Sequence, residues 1–270
     1  MRAVLGLAIA FLLATPFAAR AETPVDVELI LAVDVSRSMT PRELEIQRRG
    51  YAEALVSDEV IHAIVDGFHR QVAIAYVEWA GTLSQRIVVD WTLIASRADA
   101  EAVAAKITAH FDNSMRRTSI SGALDFTAQM FDANDFAGRR RVIDVSGDGP
   151  NNDGRPATAA RDAALARGIV INGLPLMTRE GMGARWHQED LDAYYYNCVI
   201  GGFGSFVLPV RTWEEFPLAV RRKMVLELAD WPAAPVRPPA SRPGVTPVAG
   251  EAYDCLVGER IWNMMFEDTY

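Results

Sequence analysis

Apolar positions in this 270-residue chain fall into short continuous runs separated by stretches with helical spacing. Residues 27–33 are continuously apolar, the pattern of a strand buried on both faces of a sheet. Thr40-Pro41-Arg42-Glu43 then predicts a helix start. Thr40 can cap, Pro41 suits the first helical position, and Glu43 stands where a capping box places its carboxylate. Leu44, Arg48, Tyr51 and Leu55 carry that helix on, and a second helical stretch over 59–65 stops at Gly67. Residues 71–79 and 85–91 read as strands joined by a turn at Gly81-Thr82, an antiparallel hairpin at a sheet edge. Further helices are predicted over 97–111, 119–131, 156–167, 191–197 and 213–228, and further strands over 141–146, 169–174 and 205–210. Residues 147–152, Gly-Asp-Gly-Pro-Asn-Asn, can only be a loop.

Strands that alternate with helices imply right-handed crossovers and a parallel sheet covered on both faces. The predicted fold class is therefore α/β: a doubly wound, mostly parallel sheet with one antiparallel edge strand and helices on both faces. One large domain over residues 25–230 holds these elements. Residues 231–250 contain six prolines and no periodicity, and read as a linker. Residues 251–270 carry Cys255 and the apolar cluster Ile261, Trp262, Met264, Met265 and Phe266, a tail expected to dock back on the domain through Cys255. Residues 1–21 stand apart. Arg2, the apolar run 4–13 and Ala19-Arg20-Ala21 form the pattern of a secretory signal, with cleavage expected after Ala21. A retained membrane anchor is the alternative, but the apolar run is short for spanning and Pro16 interrupts its end.

Charge and cysteine usage narrow the setting. The chain carries a formal charge of −8, which becomes −10 once residues 1–21, with Arg2, Arg20 and no acid, are removed. So acidic a chain is a poor candidate for nucleic acid or an anionic membrane surface. No later segment is long and apolar enough to cross a bilayer, so the processed chain is expected to be soluble, in the periplasm or secreted. Cys198 and Cys255 are an even pair in an exported chain, which predicts a disulfide; two separate buried thiols are the alternative.

The candidate chemistry lies at the strand ends. Asp34-Val35-Ser36-Arg37-Ser38 follows the first strand and offers one acid and two hydroxyls at alternating positions. Oxygen-only groups of this kind suit a hard divalent cation, although Asp and Ser are also ordinary turn and cap residues. Asp148 sits beyond the strand 141–146, and Thr118 precedes the helix that begins at Ser119. In an open parallel sheet, ligands bind beyond the carboxyl ends of the strands. If the two strands are neighbours, both carboxylates and the three hydroxyls share one crevice, where a cation would relieve the repulsion between the acids.

These residues resemble a von Willebrand factor A domain. Asp34-x-Ser36-x-Ser38, Thr118 within residues 116–124, and Asp148 within Ser146-Gly147-Asp148-Gly149 match its metal-ion-dependent adhesion site. The resemblance covers roughly residues 25–230. More narrowly, residues 77–81, 142–149 and 197–202 resemble an exported bacterial family of A-type domains with no assigned function. The resemblance implies a metal held by Asp34, Ser36, Ser38, Thr118 and Asp148, with Mg²⁺ expected and Mn²⁺ or Ca²⁺ as alternatives. It also implies a protein partner whose acidic side chain fills an open position on the metal. Three departures bear on affinity and metal choice: Arg37 between the serines, Arg116-Arg117 in place of a usual glycine pair, and Gly147 where Thr is frequent.

An enzyme is the competing class. The chain has no Gly-rich phosphate loop, no G-x-S-x-G elbow, and no His near the five candidate ligands in sequence. The expectation is a binding module; a metal-dependent hydrolase and a structural module with a stabilising metal are the alternatives. Asp144 and Glu78 read as buried carboxylates paired with donors. His62 and His69 read as ordinary histidines rather than a zinc pair, and Tyr194, Tyr195 and Tyr196 as half-buried aromatics.

Overall fold

The structure is a computed structural model and describes residues 22–109, 115–178, 188–229 and 253–267. The expected signal (1–21), the linker (231–250) and the end of the helix predicted over 97–111 lie outside the described residues, as do the side chains of Met265 and Phe266. Five strands form one sheet: β1 (Thr23–Asp34), β2 (Val72–Trp79), β3 (Gln85–Ile94), β4 (Phe136–Gly147) and β5 (Ile169–Pro175), in the order β3-β2-β1-β4-β5. β1 pairs in parallel with both β2 and β4, β4 pairs in parallel with β5, and β3 runs antiparallel to β2 at the edge. This is the predicted fold class.

The central strand explains both layers of the core. Side chains of β1 alternate between faces, and both faces are apolar. Leu29, Leu31 and Val33 face a cluster built with α1 (Pro41–Leu55), α2 (Asp58–Val65), α3 (Arg97–Ala109) and α7 (Phe216–Leu228). Ile30 and Ala32 face a second cluster with α4 (Ile120–Met130), α5 (Ala157–Ala166) and α6 (Leu191–Tyr194). α6 continues into a π-turn over Tyr195–Val199.

Local chemistry sets the helix ends. Thr40 Oγ1 accepts from Glu43 N and the Glu43 carboxylate accepts from Thr40 N, so the predicted capping box forms. Gly50 lets α1 approach α7: a Cβ there would lie 2.6 Å from the Phe216 ring.

One predicted strand does not form as such. Residues 205–210 run beside β5 and make isolated bridges, Val207 with Gly173 and Val210 with Leu176, but no continuous ladder. Pro209 has no N–H to donate, and Phe206 N donates to the side chain of Asn172 instead of to backbone. The predicted start of the last helix at Trp213 is likewise a turn, and α7 begins at Phe216.

Cys198 and Cys255 form a disulfide, with their Cα atoms 5.5 Å apart. It joins the π-turn to the segment before α8 (Val257–Glu267), a helix absent from the sequence reading of the tail. Tyr253 donates to Asp190 at 3.0 Å, and Glu259 accepts from Asn151 Nδ2 at 2.8 Å. The bond spans 57 residues. In the chain-entropy account a loop of that length stabilises by about 4 kcal/mol. Cys198→Ser should lower the free energy of unfolding in urea by about that much relative to the oxidised protein. Reducing agent should lower the stability of the unsubstituted chain and leave the variant unchanged.

Candidate metal centre

The site is assembled by the parallel pairing of β1 with β4, which sets Val33 beside Ser146 and brings the two strand ends together. Asp34 ends β1 fully buried, and its Oδ1 accepts from Ser36 N at 2.6 Å. Gln47, from α1, donates to the Asp34 carbonyl at 3.1 Å and ties the strand end to the helix. Ser36 Oγ and Ser38 Oγ lie 2.9 Å apart, and Ser38 Oγ donates to Asp148 Oδ1 at 2.8 Å. Asp34, Ser36, Ser38 and Asp148 therefore form one hydrogen-bonded chain across the two loops.

Thr118 lies on the same rim. Met115 N donates to Val35 O at 2.9 Å, which lays the segment before Thr118 alongside the first loop. Thr118 N donates to Asn152 Oδ1 at 3.0 Å and Thr118 O accepts from Asn152 N at 2.8 Å, which ties it to the loop after β4. Among the described residues no hydrogen bond joins the Thr118 hydroxyl to the other four.

The electrostatics are those of two acids held together. Burial, then the charge of Asp148, pushes the Asp34 carboxyl well above the usual carboxylate range, with the Ser36 N–H opposing. Asp148 is pushed up to about 6, chiefly by burial, with the Ser38 hydrogen bond opposing and the Glu43 charge adding. Asp34 Oδ2 is buried without a hydrogen-bond partner, and so is the Tyr195 hydroxyl. Both stand over Gly147, where a Cβ would lie 2.8 Å from Tyr195 OH and 3.0 Å from Asp34 Oδ2. Glycine at 147, a departure noted in the sequence, is thus demanded by the closeness of these two oxygens.

An orphaned buried carboxylate oxygen, a second acid hydrogen-bonded through two serines, and an all-oxygen donor set fit a hard divalent cation. Among the described residues there is no group of three or more His, Cys, Asp and Glu side chains able to hold an ion. The candidate set is of a different kind, with two carboxylates and the remainder hydroxyls.

Several residues of this rim escaped the sequence reading. In the loop after β4, Asn151 Oδ1 accepts from Ser121 N, Asn152 holds Thr118, and Asp153 accepts from Thr82 N and Oγ1. In sequence they showed only as turn formers. Arg117 adopts φ 70, the left-handed backbone that glycine favours. It pairs with Asp153 at 3.2 Å and stacks 4.7 Å from the Trp262 ring of α8. Tyr194 and Tyr195 are fully buried, not half-buried as expected, because the π-turn rolls both rings into the core. Asp144 pairs with Lys223, and Glu78 with Arg48 and Arg86, so both acids are partnered by cations. His62 is exposed, and His69 N donates to Asp26.

A five-stranded, mostly parallel sheet with helices on both faces, and an Asp-x-Ser-x-Ser loop at the end of its central strand, is a von Willebrand factor A-like fold. The chain belongs to the family described as "Protein of unknown function (DUF1194)", whose model matches residues 24–232. Solved structures share the fold. Proximal thread matrix protein 1 from the mussel byssus is 14% identical with a TM-score of 0.54, over 77% of this chain and 48% of that one. Another structure of that protein has a zinc-occupied MIDAS motif; it is 15% identical with a TM-score of 0.53, over 77% and 48% of the two chains. The open conformation of the pilus adhesin SpaC from Lactobacillus rhamnosus GG is 10% identical with a TM-score of 0.53, over 75% and 30%. The chain thus spans about half the length of the mussel protein and under a third of the adhesin. No curated protein matches it in sequence.

Gly147→Ala should destabilise the protein by about 1–3 kcal/mol, the usual range for a forced extra group in a packed site. Tyr195→Phe in the same chain should recover part of the loss, measured by chemical denaturation.

Proposed function

We propose that the protein is an exported, divalent-cation-dependent protein-binding module. Asp34, Ser36, Ser38, Thr118 and Asp148 hold the ion, with Mg²⁺ favoured over Mn²⁺ and Ca²⁺, directly or through water. The bound ion supplies a positive centre that an acidic side chain of a protein partner can approach. One observation carries the reading: two carboxylates meet through Ser36 and Ser38 while Asp34 Oδ2 stays without a partner. Like charges so placed call for a cation. Exposed Arg37, Arg116 and Arg117 on the same loops favour an acidic partner over a basic one. The adhesin and the byssus protein are consistent with an interaction role rather than turnover.

Export belongs to the same reading, with residues 1–21 removed as a leader and residues 231–250 acting as the linker. The disulfide supports an oxidising compartment. No helix among the described residues is long and apolar enough to cross a membrane.

Mg²⁺ should raise the melting temperature of the EDTA-treated protein. At free ion near 100 times Kd the gain in stability should be about 2.7 kcal/mol. Asp148→Ala should abolish that shift and leave a folded protein by circular dichroism. A full shift in the variant would place the ion elsewhere. Affinity capture from envelope extracts with Mg²⁺ should recover a partner that both EDTA and Asp34→Ala release. Metal-dependent hydrolysis by the wild type would favour an enzyme instead.

A further inference from the structure

Lys223 is set apart from the other cations of the chain. Of the 27 lysines and arginines, only Lys106 and Lys223 are lysine. Lys106 is exposed on α3, whereas Lys223 is completely buried between α7 and the sheet. Arginine is the usual residue for a buried ion pair, since its planar fork meets a carboxylate at two points and keeps its charge. Elsewhere in this fold that preference holds: buried Glu78 is gripped by Arg48 and Arg86. Among the described residues an amine stands at the most enclosed cationic position, in a chain that otherwise selects guanidinium. The chemical difference is that an amine, after giving up one proton, is a nucleophile.

Its surroundings fit that property. Lys223 Nζ lies 2.7 Å from Asp144 Oδ1, contacts Glu227 Oε1, and sits 5.4 Å from the Phe206 ring. Asp144 comes from β4 and Glu227 from the next turn of α7, and both are buried. Asn172 of β5 donates to Glu227 Oε1 at 2.9 Å and orients that carboxyl. Apart from the Lys223 ammonium, no donor among the described residues reaches Asp144 Oδ1, and Asp144 Oδ2 and Glu227 Oε2 have no hydrogen-bond partner there. Burial pushes Asp144 above its ordinary value, and burial with the Asp144 charge pushes Glu227 up to about 7. As three ions the cluster is unfavourable, because a buried pair offsets desolvation only when further hydrogen bonds satisfy its remaining lone pairs.

We infer that Lys223 and Asp144 are joined by an intramolecular amide bond, made by the folded protein itself with Glu227 as the catalytic residue. Glu227 Oε1 takes one proton from Nζ. The freed electron pair attacks Cγ of Asp144 in its protonated form, giving a tetrahedral carbon. Glu227 returns the proton to the departing hydroxyl, which leaves as water, and the nitrogen gives its surplus proton to Glu227. One C–N bond forms, one C–O bond breaks, and nothing is oxidised or reduced. The product is a neutral amide beside a protonated Glu227, in place of a buried ammonium and its carboxylates. The bond ties α7 to the strand that carries Asp148, independently of whether a metal binds there.

The deciding measurement is the intact mass of the full chain, reduced and denatured. The expected result is a deficit of one water against the sequence. Tryptic mapping should give a branched peptide joining the segments that contain Lys223 and Asp144, with no cleavage after Lys223. Glu227→Gln should restore the full mass; a retained deficit in that variant would remove Glu227 from the chemistry. If the variant does not fold, the wild-type mass and map decide alone. A wild-type mass equal to the sequence overturns the inference. So does loss of ammonia, which would make Asn172 the acceptor, or a branch mapping to Lys223 and Glu227.

Discussion

The parallel pairing of β1 with β4 is the constraint on which the rest of the rim depends. It sets Val33 beside Ser146, so each strand delivers an acid to the same edge within a few residues of its end. Burial and the charge of Asp148 push the Asp34 carboxyl up, and burial with the charge of Glu43 pushes Asp148 up. The backbone answers with short-range donors. Ser36 N turns onto Asp34, and the serine hydroxyls bridge to Asp148. What these donors leave unsatisfied is Asp34 Oδ2, which stands over Gly147.

The loop after β4 turns this pair of strand ends into a rim. Asn151, Asn152 and Asp153 reach respectively to the start of α4, to Thr118, and to the β2–β3 hairpin at Thr82. The loop is anchored from behind: Asn151 N donates to the Tyr194 hydroxyl, and Asn151 Nδ2 donates to Glu259. The π-turn carries Tyr195, whose hydroxyl stands over Gly147, and, three residues on, Cys198 of the disulfide. The tail and the rim are therefore parts of one packed unit.

Much of this architecture is legible in the sequence because it rests on local rules. The continuous apolar run of β1, the capping box at Thr40 and the turn at Gly81-Thr82 each carry their own signal, and the mostly parallel sheet follows from alternation. The acids and serines of the candidate centre are legible for a related reason, since strand ends in a parallel sheet share an edge. What stayed hidden is non-local. Residues 205–210 look like a strand until Pro209 and the side chain of Asn172 interrupt the ladder. Tyr195 gives no sign in sequence that its hydroxyl ends above Gly147, and the apolar cluster of the tail did not reveal that it coils into α8. Asn151 and Asn152 look like turn formers because the partners that define them lie about 30 residues and more away.

The scarcity of lysine has a consequence for the outer surface. With Lys223 enclosed, Lys106 is the single lysine among the described residues that meets solvent, and nearly all the surface's positive charge is guanidinium. Guanidinium does not titrate in any range a cell or a buffer reaches, nor is it a target for acylation. The basic contribution of Arg37, Arg116 and Arg117 beside the candidate centre is of this kind. Lysine has almost no part in the surface's positive charge, so tuning of attraction by the medium acts through the carboxylates, the histidines and ionic strength.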